Sequence, residues 1–323
     1  MIKLEDDIFS IQNTSDFESI ALEVFHFQLE NCQVYGDYVR LLNRLQPKSV
    51  NEIPFLPISF FKSHSIITKD LPVQFDFMSS GTTGMIRSKH LVQKPEMYIR
   101  SFTEIYHQFI GNPAEQVILA LLPNYLEQGN SSLVYMVDHL IQQTNSPLSG
   151  FFLEEYDALI LNYQQAISEG KKVVIFGVSY ALLDLAEQKV NLSQAQIIET
   201  GGMKGRRKEL TKEELHDQLK QGLGCEFISS EYGMTELFSQ SYSNKDGLFD
   251  LPKWMEIKIR ETNDPFQYVD DGKTGGINVI DLANLYSCSF IATQDLGKRI
   301  GNQFQLMGRF DNSDLRGCNL MVE

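Results

Sequence analysis

Three short apolar runs, each closed by proline or glycine and each followed by a segment of helical length, constrain the fold of this chain more than any other feature. They are "QVILALLP" (116–123), "KKVVIFGV" (171–178) and "QAQIIETGG" (194–202). All three are rich in Val, Ile and Leu and read as buried strands. Helical patterns follow at "SSLVYMVDHLIQQT" (131–144) and "SYALLDLAEQ" (179–188). A third helix is announced by Thr211 and Glu214, a capping box, and can be ended by Gly222 and Gly224. Such alternation predicts an α/β architecture containing at least one parallel sheet.

The flanks have a different texture. Residues 1–70 read as mostly helical, with a capping box at Ser15 and Glu18 and a broad apolar face of Phe17, Ile20, Ala21, Val24, Phe25 and Phe27. Two prolines in "IPFLPISFFK" (53–62) predict an extended, buried linker. The last third is strand-rich: "WMEIKIRE" (254–261) alternates, and "GGINVIDLAN" (275–284) and "SFIATQDLG" (289–297) read as further strands. Internal repeats and low-complexity segments are absent, and no stretch reads as a linker, so one continuous core made of subdomains is expected.

Composition narrows the function. The 42% hydrophobic content, with 21 Phe and 13 Tyr, is enough to fill a sizeable core. A net charge of −14 argues against a nucleic-acid surface, which needs a basic face. Cys32, Cys225, Cys288 and Cys318 form no CxxC pair and have no histidines at metal-ligand spacing, which weighs against a disulfide framework or a zinc site. The start "MIKLEDDIFSIQN" has no signal-peptide pattern, and no apolar stretch approaches the ~20 residues that span a bilayer. The chain reads as cytoplasmic.

Polar turns collect at the predicted strand ends. "FMSSGTTGMIRSKH" (77–90) sets Ser79, Ser80, Gly81, Thr82, Thr83 and Gly84 ahead of Arg87 and Lys89. Glycines let backbone N–H groups approach an anion, and hydroxyls and cations add donors and charge, so the segment suits a phosphate cradle. On its own such a segment is more often a solvent-exposed turn, and it matches neither GxxxxGK[ST] nor GxGxxG. "ETGGMKG" (199–205), "SSEYGMTELFSQ" (229–240), "ATQDLG" (292–297, a carboxylate in a turn) and "GRFDNSDLRG" (308–317) supply further polar clusters. Ligands of α/β sheets gather outside the carboxyl ends of strands, so the clusters together suggest one site. His26, His107, His139 and His216 fall in helical patterns at no shared spacing and receive no role.

"SSGTTG", "YGMTE", the "TQD" turn and "GRFDNSDLRG" resemble the successive core motifs of the adenylate-forming superfamily of acyl-CoA synthetases, luciferases and peptide-synthetase adenylation domains. They occur in that family's order over residues 77–317. "IPFLPISFFK", "GNSSLVYMV", "TGGMKGRRKE" and "LRGCNL" look closest to the acyl-protein synthetases of the bacterial luminescence fatty-acid reductase system. The resemblance implies the large N-terminal core of the adenylate-forming enzymes, an α/β fold of layered mixed sheets with helices, lacking the C-terminal lid domain. A helical segment (1–70), a core (71–311) and a C-terminal tail at the usual hinge position (312–323) would follow.

By the same resemblance, the chain would activate a carboxylic acid, of the fatty class, with ATP and Mg²⁺ to an acyl-adenylate. Ser79, Ser80, Gly81, Thr82, Thr83 and Gly84 would wrap the phosphates. Gly201, Gly202 and Tyr232, with Gly233 and Met234 beside them, would frame the adenine. Thr235 would reach the phosphates, Glu236 would hold Mg²⁺, Asp295 would bind the ribose hydroxyls, and Arg309 would lie near ribose or phosphate. Where the family's loop usually continues Pro-Lys-Gly, this chain has Ile86, Arg87 and Ser88, so Arg87 would replace the lysine charge. The family accepts the acyl group on a cysteine near its C-terminus, a position that Cys318 resembles. The partner implied is an acyl reductase, an acyltransferase or a carrier protein. Two alternatives stand beside this reading: an acyl-CoA or acyl-carrier ligase, and a catalytically weakened nucleotide-binding regulatory protein.

Overall fold

A computed structural model describes residues 2–80, 86–123, 130–201, 210–243 and 245–310. In chain order its helices are α1 (Ile2–Phe9), α2 (Thr14–Asn31), α3 (Gln33–Leu41), α4 (Phe60–Ser63), α5 (Pro95–Phe109), α6 (Ser132–Gln143), α7 (Tyr156–Ser168), α8 (Ser179–Glu187) and α9 (Lys212–Leu223). The strands are β1 (Leu56–Pro57), β2 (Phe75–Met78), β3 (Lys89–Val92), β4 (Gln116–Leu121), β5 (Gly150–Phe151), β6 (Lys172–Gly177) and β7 (Ala195–Glu199). They continue with β8 (Ser229–Tyr232), β9 (Ser241–Ser243), β10 (Phe249–Asp250), β11 (Met255–Arg260), β12 (Thr274–Asp281), β13 (Phe290–Ile300) and β14 (Gln303–Arg309). The chain divides into two compact units. One comprises Met1–Gln74, His90–Met97 and Leu248–Glu323, the other Phe75–Lys89 and Tyr98–Gly247.

The second unit is built on the predicted rhythm. Its strands run β5-β4-β6-β7-β8-β9. All neighbours from β5 to β8 are parallel, and β9 is antiparallel to β8. β4 is buried along its whole length, as a strand covered on both faces must be. Parallel strands place their carboxyl ends along one edge, so the segments after β4, β6, β7 and β8 emerge together. α9 starts and stops as its sequence dictates. Thr211 and Glu214 form the reciprocal capping box, and Gly224 adopts the left-handed conformation at the C-cap. β2 is fixed through its aromatics, with Phe75 and Phe77 at 5.4 and 5.5 Å from the Tyr135 ring and Phe77 at 5.3 Å from Tyr98.

In the first unit the strands run β11-β12-β13-β14-β10, antiparallel from β11 to β10, with β1 added in parallel to β13. β11 alternates buried and half-buried residues, as its sequence predicts. The N-terminal helices pack on this sheet through a buried glutamine. Gln28 Nε2 donates to Asn284 O, Leu285 O and Ser289 Oγ, while its Oε1 accepts from Ser289 N at 3.0 Å. Around Phe290, the rings of Phe25, Tyr35 and Phe55 lie 5.9–6.3 Å away. Each such burial is worth about 1.5–3 kcal/mol.

Local expectations fail in three places. α2 is capped by Asn13, whose side chain accepts from Asp16 N, and not by Ser15. The segment 53–62 is extended only through β1 and then turns into the short helix α4, because the two prolines restrict only its first half. Thr293, Gln294 and Asp295 lie inside the eleven-residue β13 and not in a turn: they fall at the irregularity in its pairing with β12, and Asp295 is registered opposite Arg309 of β14. Among the described residues, no helix is long and apolar enough to cross a membrane.

Candidate active site

Polar side chains of the second unit gather at the carboxyl edge of its parallel sheet. β7 ends at Glu199 and β8 at Tyr232, on adjacent strands registered Glu199 to Ser230. After Glu199 the chain turns through Gly201 at φ +76°, a conformation open to glycine at no steric cost. After Tyr232, which is buried, come exposed Gly233, half-buried Met234 and Thr235, and buried Glu236. A Cβ on Gly233 would stand 2.2 Å from Glu231 Oε1, so a side chain there would displace that carboxylate.

β2 leads to the glycine–hydroxyl segment. Ser79 N donates to Ser88 O at 3.0 Å, and Ser88 N donates to Ser79 Oγ at 2.9 Å. Ser79 therefore clamps the base of the loop, a role its sequence position does not reveal. Met78 N donates to Asn130 O, just before the N-cap Ser131 of α6. Arg87 is exposed, and Lys89 pairs with Asp76 at 3.4 Å. Gly81, Thr82, Thr83, Gly84, Gly202 and Cys318 lie outside the described residues, as do Tyr125, Lys204 and Arg206.

In the first unit, Asp295 and Arg309 are cross-strand partners on β13 and β14, and Arg309 Nε donates to Asp295 Oδ1 at 3.1 Å. The Asp295 side chain is 9% exposed and that of Arg309 77% exposed. Asp295 N also donates to Thr293 Oγ1.

The residue that organises the second unit's edge, Glu199, was not among the expected site residues. Glu199 is buried, and its carboxylate accepts from Ser179 Oγ (2.5 Å), Gly201 N (2.6 Å), Ser230 Oγ (3.2 Å) and Lys212 Nζ. His216 Nε2 lies 3.1 Å from Ser230 Oγ and 4.0 Å from Glu199 Oε2. With Ser230 donating to Glu199, its oxygen accepts from His216 Nε2–H. Burial by itself would raise the Glu199 pKa. The donors from His216, Lys212 and Ser179 outweigh it and hold the carboxyl well below the usual range. Successive strand residues face opposite sides, so Glu231 looks away from Ser230 and Glu199, toward its cross-strand partner Tyr242. Glu231 as a whole is half-buried, but its carboxyl lies against Gly233. Burial, reinforced by the charge of Glu199 and opposed by Lys212, pushes it up to about 8.

The acyl-protein synthetase family LuxE matches residues 9–323. This chain belongs to that family. It is an AMP-forming acid–thiol ligase, using ATP to activate a carboxylic acid and transferring the acyl group to a protein. A long-chain-fatty-acid–luciferin-component ligase of Vibrio harveyi is 21% identical over 316 residues, which cover 88% of this chain and 82% of that protein. Solved structures share the fold. ATP-bound MatB from Rhodopseudomonas palustris superposes with a TM-score of 0.54 at 16% identity, over 75% of this chain and 50% of that one. A 2-hydroxyisobutyryl-CoA ligase in complex with 2-HIB-AMP and CoA superposes with a TM-score of 0.64 at 11% identity, over 94% of this chain and 72% of that one. The chain thus spans about half the length of MatB.

Proposed function

We propose that this acyl-protein synthetase activates a fatty acid as its acyl-adenylate and loads the acyl group onto its own Cys318, for delivery to a partner such as an acyl reductase. One observation carries the reading: a family match along nearly the whole chain coincides with a parallel sheet whose carboxyl edge presents Gly201 and the Tyr232–Glu236 turn side by side. The fatty substrate is supported by the activity named for the Vibrio harveyi relative.

In the first step a carboxylate oxygen attacks the α-phosphorus of ATP and pyrophosphate leaves. In the second, a thiolate attacks the acyl carbonyl, forms the thioester and expels AMP. Gly201, Gly202, Tyr232, Gly233 and Met234 would frame the adenine. Ser79 to Gly84, Thr235 and Arg87 would meet the phosphates, and Asp295 would accept from the ribose hydroxyls with Arg309 nearby.

Mg²⁺ is the implied metal. Among the described residues, no three His, Cys, Asp or Glu side chains gather as a metal cage, and a cation held by one carboxylate would take further ligands from phosphates and water. That is how Mg²⁺ is commonly held, with one or two protein carboxylates, and Glu236 at the strand-end turn fits the part. When bound, the metal offsets negative charge on the phosphates. Cys32, Cys225 and Cys288 are free thiols, which suits a reducing, cytoplasmic setting.

Incubation with ATP, Mg²⁺ and a labelled long-chain fatty acid tests the reading. The chain should acquire hydroxylamine-sensitive label, and Cys318→Ser should abolish it while acid-dependent pyrophosphate release continues. Label that persists in Cys318→Ser would place the thioester elsewhere. AMP formation only in the presence of coenzyme A or a carrier protein would make the chain a ligase for that acceptor.

A further inference from the structure

The Glu199 carboxylate has no acceptor capacity left over. A carboxylate offers about four lone-pair positions. Oε1 takes Ser179 Oγ and Gly201 N, and Oε2 takes Ser230 Oγ and Lys212 Nζ. A group so committed, and held ionised by those donors, has nothing to offer a substrate proton or a ligand. Its partners come from four places: the first turn of α8, the residue leaving β7, β8, and the first residue of α9. Burying a charge costs several kcal/mol, and that cost is met here by a set of donors that fixes one arrangement of these four elements.

Two of the donors mark the ends of one segment. Gly201 stands where the chain leaves β7, and Lys212 where it enters α9. One carboxylate thus holds two residues that lie eleven positions apart in the sequence. At the far end Thr211 is itself fixed by the capping box with Glu214. At the near end Thr200 N donates to Gly177 O, tying the turn to the end of β6.

We infer that Glu199 is a positioning residue: held in one arrangement by Lys212, Ser179 and Ser230, it fixes the Gly201 N–H at the carboxyl edge of the sheet and so sets the backbone that the nucleotide meets at Gly201. The inference rests on the reading of Gly201 as part of the ATP site. His216 belongs to the same device, since its Nε2–H orients the Ser230 hydroxyl toward Glu199.

The decisive variants are at Lys212, whose side chain is 41% exposed and can be changed without emptying the core. Lys212→Met removes one of the donors that hold Glu199. It should raise KM for ATP in acid-dependent pyrophosphate release by about tenfold, the effect of one lost charge-assisted hydrogen bond, with kcat changed by less than about threefold. Lys212→Arg, which restores a cationic donor, should return KM to within about threefold of wild type. Glu199→Gln, which sets an N–H against two of the donors, should raise KM at least as far as Lys212→Met. A purely structural part would instead lower the active fraction at unchanged KM. The inference is overturned by a folded Lys212→Met with wild-type KM for ATP, by a loss confined to kcat, or by Lys212→Arg as impaired as Lys212→Met. A wild-type protein that releases no pyrophosphate with any fatty acid would overturn the functional reading, and this inference with it.

Discussion

Arg309 on β14 reaches across to Asp295 on β13 with a single hydrogen bond, Nε to Oδ1 at 3.1 Å, so that a mostly exposed guanidinium caps a buried carboxylate. The asymmetry matters. Asp295 lies at the centre of the eleven-residue β13, registered opposite Arg309, whereas Arg309 is the last residue of β14 and its side chain is mostly exposed. A vicinal diol is recognised by an acceptor fixed in place, and Asp295 meets that requirement better than a turn residue would.

Asp295→Ala should therefore weaken ATP more than it slows chemistry. KM for ATP is expected to rise by about ten- to a hundredfold, as for loss of one or two hydrogen bonds to a charged group. Capture of a preformed acyl-adenylate by thiol should change less, because the ribose is then held along with the acyl chain. Arg309→Ala, which removes an exposed partner, should have the smaller effect on KM. Pyrophosphate release and single-turnover thioester formation measure the two steps separately. An Asp295→Ala variant with normal KM for ATP would remove the ribose assignment.

Glu231 makes stability depend on pH in an unusual direction. Its carboxyl titrates near 4.5 when unfolded and is pushed up to about 8 in the fold by burial and by Glu199. Above about pH 4.5 the unfolded chain has released this proton while the folded chain keeps it, so stability falls as pH rises, until the folded carboxyl also ionises near 8. Tyr242 on β9 is its cross-strand partner, and the charges that act on it are those of Glu199 on β7 and Lys212 on α9. Glu231→Gln should remove the effect. Its stability advantage over wild type in urea unfolding should grow from pH 5 to pH 8, reach about 2–4 kcal/mol, and then level off. Glu199 acts in the opposite sense. Its lowered pKa makes stability present above the unfolded carboxylate range and lost as pH falls below it. A flat difference between Glu231→Gln and wild type from pH 5 to 9 would rule out the raised carboxyl.

Periodicity made much of the second unit legible. β4, β6 and β7 fall inside the apolar runs, and α9 carries both of its expected caps, because these features depend on residues a few positions apart. At α2 two capping patterns overlap, Asn13 with Asp16 and Ser15 with Glu18, and local sequence does not choose between them; the fold uses Asn13. Glu199 was hidden for another reason. Its one signal was a carboxylate as the last residue of an apolar strand, one residue short of a double glycine. Its partners Ser179, Lys212, His216 and Ser230 lie up to 31 positions away and meet only once α8, α9 and β8 are in place. The same holds for Gln28, whose partners lie more than 250 residues downstream.

That buried glutamine gives a prediction about the fold. Gln28→Leu preserves bulk but strands Ser289 N and the carbonyls of Asn284 and Leu285 without the partner they have now. Leaving buried polar groups unsatisfied costs about 1–3 kcal/mol each, so the variant should lose about 2–5 kcal/mol in urea unfolding. A loss below about 1 kcal/mol would mean that the glutamine does not tie the N-terminal helices to the sheet.

Glu236 separates chemistry from stability most sharply. It is buried in the turn after β8, three residues beyond the exposed Gly233 and next to half-buried Thr235. A buried carboxylate retained for packing would be an expensive choice, since an apolar side chain of similar volume packs as well without desolvating a charge. Glu236→Gln should therefore unfold within a few degrees of wild type while losing about a hundredfold or more in kcat for pyrophosphate release, the scale of removing a key electrostatic contact. If the carboxylate is the protein's ligand for Mg²⁺, the variant should also need a higher Mg²⁺ concentration for half-maximal rate. Thioester formation from a supplied acyl-adenylate, which has already shed its pyrophosphate, should be largely spared. Near-normal turnover with an unchanged Mg²⁺ requirement would remove the metal assignment. Equal loss in both half-reactions would make Glu236 a structural support of the Tyr232–Glu236 turn.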